Sequence, residues 1–207
     1  MDREDLGFDQ QLQISINLMA SEGIYNAARG MSGMIGQTIT VNQPHVELVP
    51  LIDIPSLVGG LESEAVGIYL RSEGAISGQI LMVIPYAKAL ELVDLLMEVP
   101  QGTTQQLGTL ERSALAELGN LTGSFFLNAV DEKLGLSARP SPPAVIVDMI
   151  GAILDILLTT AEELSESVLM VKATFVRGDR EAQADFWMIP DRKTLKTLAS
   201  RGIASHG

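Results

Sequence analysis

Helical and strand-like spacings of apolar residues follow one another along the first half of the chain. Apolar positions that recur every three to four residues predict two helices, over Ile14–Ile35 and Tyr86–Met97. Runs rich in β-branched and aromatic residues predict a hairpin with strands Ala65–Arg71 and Ile76–Pro85, which turns near Glu73-Gly74. Before the hairpin, the pattern predicts an extended segment and then a short helical or loop piece: Thr38–Leu51 and Ile54–Leu61.

The second half of the chain repeats this order of elements. A helical spacing extends over Leu110–Leu134, and the stretch Ala144–Thr160 is predicted to be mostly helical. Ser167–Val176 and Ala182–Pro190 have strand character and predict a second hairpin, which turns at the Arg-Gly-Asp-Arg sequence between them. A short amphipathic helix is predicted over Arg192–Ser200.

Paired glycines and prolines place the two halves in register. A glycine follows the first helix of each half, and a proline lies eight residues later; both pairs are 99 residues apart, at Gly36 and Gly135 and at Pro44 and Pro143. An Ile-Pro pair then ends each hairpin, at Ile84-Pro85 and at Ile189-Pro190, 105 residues apart. Single matches of this kind are common, but several in the same order favour an internal repeat.

Two halves with one order of elements predict an α/β (α+β) fold with a pseudo-two-fold axis. We expect one continuous sheet, covered by helices on one face. The whole chain, residues 1–207, is expected to form a single domain made of halves at about 10–100 and 109–205. The polar, turn-rich segment 99–106 joins the two halves.

The composition limits the kinds of partner. Hydrophobic residues make up 46% of the chain and charged residues 19%, which predicts a folded protein. The formal net charge of −12 disfavours nucleic acid and anionic membranes as partners, because a phosphate binder needs a basic surface. No apolar run reaches transmembrane length, and no apolar stretch of a secretory signal follows the acidic N-terminus, so we expect a cytoplasmic protein without membrane insertion.

Missing residue types limit the chemistry further. The chain has no cysteine and only two histidines, His45 and His206. Thiol chemistry is therefore excluded, and neither a histidine-rich metal site nor a Ser-His-Asp triad is expected. Carboxylates, amides and hydroxyls remain as the reactive groups of any active site.

A stripe of polar residues marks one side of the helix predicted over Leu110–Leu134. At about 100° per residue, five polar side chains fall within about 80° of one another: Ser113, Glu117, Asn120, Ser124 and Asn128. The opposite side holds the residues expected to face the core: Leu115, Leu118, Leu121, Phe125, Phe126 and Ala129. Small residues flank the stripe at Ala116, Gly119 and Gly123, where we expect a partner's backbone to approach closely.

The residue types in this stripe favour a functional site over an ordinary solvated surface. Solvated helix faces favour Lys, Glu, Gln and Arg, whereas this stripe holds Asn and Ser and is flanked by Gly, which costs a helix about 1 kcal/mol relative to Ala. Glu117 and Asn120 are spaced i, i+3 and point the same way. A carboxylate can bind a partner's lysine and an amide can position a water molecule, so this pair suits hydrolysis of an acyl phosphate on a partner protein.

The same residues resemble the signature of a known family. The sequence Ser113-x-x-x-Glu117-x-x-Asn120, followed after 22 residues by Pro143, is similar to the motif of the CheC/CheX/FliY phosphatases of chemotaxis. The run Asp-Met-Ile-Gly-Ala that begins at Asp148 resembles a helix start of CheC proteins.

The resemblance implies a CheC-like fold and removal of phosphate from the aspartyl phosphate of the response regulator CheY. It implies that Asn120 orients the attacking water, that Glu117 pairs with a CheY lysine and that Ser113 lies at the edge of the contact. It also implies that the chain binds no cofactor of its own, because the magnesium ion belongs to CheY. The segment around Asp148 resembles the one with which CheC proteins bind the deamidase CheD.

The first predicted helix lacks the Glu-Asn pair. The positions 99 residues before Ser113, Glu117 and Asn120 hold Ile14, Leu18 and Ser21, and Glu22 is followed at i+3 by Tyr25. Many CheC proteins carry the motif in both halves, so we predict one active site here rather than two. Two alternatives stay open: a non-catalytic adaptor that binds CheY or CheD, like flagellar switch proteins of this fold, and a structural domain without a site.

Overall fold

The elements alternate between helices and strands along the chain. A computed structural model describes residues 10–42, 44–57, 59–160, 167–191, 193–194 and 197. The helices are α1 (Gln10–Ile35), α2 (Ile54–Leu57, after a 3-10 turn at Leu51–Asp53), α3 (Tyr86–Leu96), α4 (Thr109–Leu134) and α5 (Ile150–Thr160). The strands are β1 (Thr40–Val41), β2 (His45–Pro50), β3 (Glu64–Gly74), β4 (Gly78–Pro85), β5 (Ala138–Pro140), β6 (Ala144–Met149), β7 (Ser167–Arg177) and β8 (Arg180–Pro190).

The eight strands form one sheet in which every described pairing is antiparallel. The strand order is β1-β7-β8-β4-β3-β5, with β2 also beside β7 and β6 also beside β3. Both predicted hairpins are present, as β3–β4 and β7–β8. They meet at the centre, where Leu81 of β4 is opposite Trp187 of β8.

Each outer strand pairs with the hairpin of the other half of the chain. β2 comes from the first half and lies along β7, whereas β6 comes from the second half and lies along β3. This exchange ties the two halves into one sheet. A pseudo-two-fold axis between β4 and β8 would produce this strand order. The division into halves at 10–100 and 109–205 stays a prediction, which superposition of the two halves tests.

Helices cover both faces of the sheet. One face packs against α1, α3 and α4 in the larger apolar core, which includes Ile80 and Met82 of β4. The other face forms a second core, in which Leu81 of β4 and Trp187 of β8 pack with α5 and with Ile54 of α2. The α/β fold class is confirmed. The expectation of helices on one face is incomplete, because strands that are apolar on both sides need cover on both sides.

The sequence predicts a mostly helical segment at Ala144–Thr160, but the structure divides this segment into a strand and a helix. Its first six residues form β6, which pairs with β3 from Ala144 opposite Tyr69 to Met149 opposite Glu64. The β-branched run at 145–147 suits a strand, and the sheet edge at β3 supplies its partner. Helix α5 begins only at Ile150, whose N–H is 2.9 Å from the carbonyl oxygen of Ser63.

The remaining helices and strands begin and end within a few residues of their predicted bounds. α1 starts four residues earlier than predicted, at Gln10, and α4 covers the predicted range together with Thr109. The helix predicted over Arg192–Ser200 lies mostly outside the described residues.

Asp94 in α3 holds the segment that joins the two halves. Its carboxylate accepts hydrogen bonds from the N–H groups of Gly102 at 2.7 Å, Thr103 at 3.2 Å and Thr104 at 2.8 Å. Burial alone raises the pKa of Asp94, but the hydrogen bonds from Thr104, Gly102 and Thr103 together outweigh it and keep that pKa below its ordinary value. The charged carboxylate thus fixes the chain that leads into α4.

Replacing Asp94 is expected to destabilise the protein in a pH-dependent way. Asp94→Asn should lower the free energy of unfolding by about 1–3 kcal/mol at neutral pH, because the N–H groups of Gly102, Thr103 and Thr104 lose a charged acceptor. Since the folded pKa is depressed, this stabilisation is present above the unfolded pKa of about 3.9 and is lost as pH falls through the lower folded value. Urea denaturation across this range measures it, with exposed Glu132→Gln as control. Equal stability of Asp94→Asn and the parent at neutral pH would refute this role.

Candidate functional site

The polar stripe lies on α4, which is a continuous helix over Thr109–Leu134. Ser113 and Asn128 are exposed, and Glu117, Asn120 and Ser124 are partly exposed. The residues predicted for the core face are buried at Leu115, Leu118, Phe126 and Ala129 and partly buried at Leu121 and Phe125. The helix therefore presents the stripe to solvent along one edge.

The side chains of Glu117 and Asn120 make no hydrogen bond or ion pair with the described part of the chain. Ser113 differs, because its hydroxyl donates to the carbonyl oxygen of Thr109 at 2.9 Å. The Glu117 carboxylate and the Asn120 amide are one helical turn apart and both reach solvent. They are therefore available to bind groups of a partner.

The stripe faces away from α1 and toward the sheet edge that β5 and β6 form. On the far side of α4 from the stripe, the Cα of Phe126 is 2.7 Å from the place where a Cβ on Gly23 of α1 would lie. On the sheet side, Pro140 of β5 is 3.7 Å from the corresponding Cβ position at Gly123. A partner can therefore reach Glu117 and Asn120 from the β5–β6 edge without displacing α1.

Gly119 and Gly123 do not lie where the sequence suggested. Both are buried against β3, so they do not offer an open approach to a partner. A Cβ on Gly119 would be 2.5 Å from Cγ2 of Ile68, and a Cβ on Gly123 would be 3.5 Å from Cδ2 of Leu70. These glycines let α4 lie close to the sheet, and the two contacts show that α4 and β3 run in the same direction.

The two glycines provide a matched test of this packing. Gly119→Ala should destabilise the protein, because overpacking against the fully buried Ile68 costs about 1–3 kcal/mol and exceeds the helix-propensity gain. Gly123→Ala should leave stability unchanged or raise it by up to about 1 kcal/mol, because its Cβ makes an ordinary contact and Ala favours the helix. Thermal denaturation compares the variants. A Gly119→Ala protein as stable as Gly123→Ala would contradict the packing.

Asp148 lies apart from the Glu117–Asn120 pair. It is exposed near the end of β6, and its carboxylate accepts the N–H of Met149 at 2.7 Å. Side chains alternate along a strand. Because Val147 packs on the larger core and Ile146 on the second core, Asp148 points to the α5 face of the sheet. The structure does not bring Asp148 together with α4, and any contact through it is a separate surface.

The corresponding region of α1 carries different chemistry. Leu18 is 63% exposed and Tyr25 is 41% exposed, whereas Ser21 between them is partly buried. Glu22 forms an ion pair with Lys133 of α4 at 3.4 Å. The described surface of α1 therefore has no free carboxylate beside an amide in the arrangement that α4 shows.

The described residues contain neither a cluster of metal-ligating side chains nor a membrane-spanning helix. Nowhere in them do three or more His, Asp or Glu side chains lie close enough to hold a metal ion. No helix in the same ranges combines the length and apolarity needed to cross a membrane.

Comparison with curated proteins finds a similarity to a CheC protein. The chain is 25% identical over 194 residues to the CheY-P phosphatase CheC of Bacillus subtilis (strain 168), with 92% of each chain covered. No family model matches the chain.

Solved structures share the fold. FliY of Thermotoga maritima superposes with a TM-score of 0.73 at 17% identity, covering 96% of this chain and 99% of FliY. The FliM middle domain from H. pylori superposes with a TM-score of 0.66 at 10% identity, covering 94% of this chain and 99% of that domain. The resemblance inferred from the motif is confirmed: the chain resembles the CheC/CheX/FliY family and has the CheC-like α/β fold.

Proposed function

We propose that this CheC-like chain is a cytoplasmic phosphatase that hydrolyses the aspartyl phosphate of a CheY-type response regulator at a single site on α4. The observation that carries the proposal is the Glu117–Asn120 pair, which reaches solvent and has no partner in the described chain. The similarity to CheC, a CheY-P phosphatase, over 92% of both chains supports the same activity.

In the proposed mechanism, the chain mainly positions the attacking water molecule and the response regulator. Asn120 both accepts and donates hydrogen bonds, so its amide orients a water molecule for in-line attack on phosphorus. The bond between phosphorus and the acyl oxygen breaks, and the products are inorganic phosphate and the free aspartate. Glu117 binds a lysine of the response regulator and fixes the docked geometry. Ser113 lies at the edge of the contact, and the magnesium ion belongs to the response regulator.

The alternative function is a non-catalytic adaptor of the chemotaxis or flagellar switch system. FliM has the same fold, and a solved structure from H. pylori shows FliM in complex with FliG. The retained Glu117–Asn120 pair favours the enzyme, because an adaptor does not need an unpaired amide at the centre of its surface. A phosphatase binds phosphorylated CheY and releases phosphate from it, whereas an adaptor only binds, so measuring both properties distinguishes the two functions.

Asn120 and Glu117 are expected to affect different kinetic constants. Asn120→Ala should lower kcat for phosphate release from phosphorylated CheY by about tenfold or more, since a misplaced nucleophile is costly, and should change binding little. Glu117→Ala should chiefly raise KM, because its carboxylate contributes to docking. Phosphate release measured over a range of phosphorylated CheY concentrations gives both constants.

The equivalent positions on the first helix serve as controls. Leu18→Ala and Ser21→Ala should leave turnover nearly unchanged, because α1 carries no catalytic pair. If Asn120→Ala has the same kcat as the parent, the phosphatase proposal is rejected and the adaptor function remains.

A second proposed contact is between CheD and the exposed Asp148 on the α5 face. Asp148→Lys should abolish CheD binding and leave the fold intact, because the charge reversal affects a solvent-facing carboxylate. Titration of the variant with CheD and a thermal melt measure the two effects. Unchanged affinity with a melting temperature lowered by the loss of a local hydrogen bond, worth about 0.5–2 kcal/mol, would assign Asp148 a structural role instead.

A further inference from the structure

Two large apolar side chains are exposed beside the N-terminal end of the polar stripe. Leu110 is 63% exposed at the start of α4, and Met149 is 49% exposed at the end of β6. Leu110 precedes Glu117 by seven residues, two helical turns, so it lies on the same side of α4. The sequence predicts no role for Leu110, and Met149 belongs to the segment around Asp148, for which the resemblance implies a CheD contact.

Met149 lies on the face of the sheet that α4 covers. Val145 and Val147 of the same strand pack against the larger core with α4, whereas Ile146 packs against the second core. Because side chains alternate along a strand, Met149 points to the same side as the two valines.

Met149 is also level with Leu110 along the helix. Gly119 of α4 lies over Ile68 of β3, and Met149 pairs with Glu64, four residues before Ile68. Four strand residues span about 13 Å, which corresponds to about nine residues of a parallel helix. The strand register therefore places Met149 across from the first turn of α4, on the β5–β6 side that the stripe faces.

A protein partner centred on Asn120 extends along α4 to the level of both side chains. An interface of standard size buries about 800 Å² on each partner, which corresponds to a disc of about 16 Å radius. Leu110 precedes Asn120 by ten residues, or about 15 Å along the helix axis. In the other direction the stripe stays polar, at Ser124 and Asn128. The apolar part of the footprint is therefore confined to its N-terminal end.

We infer that Leu110 and Met149 form an apolar docking surface for the response regulator and set the affinity of the site for it. This inference rests on the proposed function, which supplies the partner. Glu64, exposed and opposite Met149 in the sheet, places a carboxylate beside Met149. The surface therefore suits a regulator that presents apolar side chains next to the lysine bound by Glu117, and it orients that regulator relative to Asn120.

Alanine variants test the docking surface. Leu110→Ala and Met149→Ala should each raise KM for phosphorylated Bacillus subtilis CheY by about fivefold, because each variant removes apolar surface that the docked regulator covers, while kcat stays unchanged. The matched control is Ile52→Ala, which removes an 87% exposed apolar side chain at the opposite edge of the sheet. Thermal melts verify that all variants are folded.

Binding measured without turnover separates this inference from the proposed activity. CheY charged with beryllofluoride and magnesium mimics the phosphorylated state, and its dissociation constant should rise by the same factor for both variants and not for Ile52→Ala. If the parent binds charged CheY but releases no phosphate, the proposed phosphatase activity is rejected. The dissociation constants of the variants still test whether Leu110 and Met149 contribute to docking. Unchanged constants for both variants, or no binding by the parent, would overturn the inference.

Discussion

The close approach of α4 to β3 at Gly119 is the contact on which the geometry of the site depends. A side chain at this position would collide with Ile68, whose own position is fixed inside the sheet. With the helix held against β3 on one side and against α1 on another, α4 cannot rotate without breaking both contacts. Its third side therefore faces solvent at the β5–β6 edge, and Glu117 and Asn120 lie there.

The exchange of outer strands between the halves extends this constraint to the sheet edge. β6 belongs to the second half but pairs with β3 of the first, so the edge beside α4 is held by residues distant in the chain. The same strand points Met149 toward α4 and Asp148 toward α5. One strand thus separates two surfaces, and we propose that a response regulator binds the first and CheD the second.

Helical periodicity was sufficient to predict the polar stripe, because the angle between Glu117 and Asn120 depends only on their spacing. The same periodicity cannot tell which side of a helix meets a sheet, so Gly119 and Gly123 were assigned to an open flank although they contact β3. Residues 144–149 were predicted as helix because the strand partner that decides their conformation lies about eighty residues earlier in the chain. The exposed side chains of Leu110 and Met149 lie at the same level along α4 only because of that pairing, which no local pattern contains.

We propose that a single exposed carboxylate–amide pair on α4 makes this CheC-like fold an enzyme. The most direct measurement is the rate of phosphate release from phosphorylated CheY at a substoichiometric concentration of the chain. We expect release to exceed spontaneous hydrolysis and each molecule of the chain to turn over many molecules of phosphorylated CheY. Release at the spontaneous rate, with CheY demonstrably bound, would rule out a phosphatase and make the chain an adaptor.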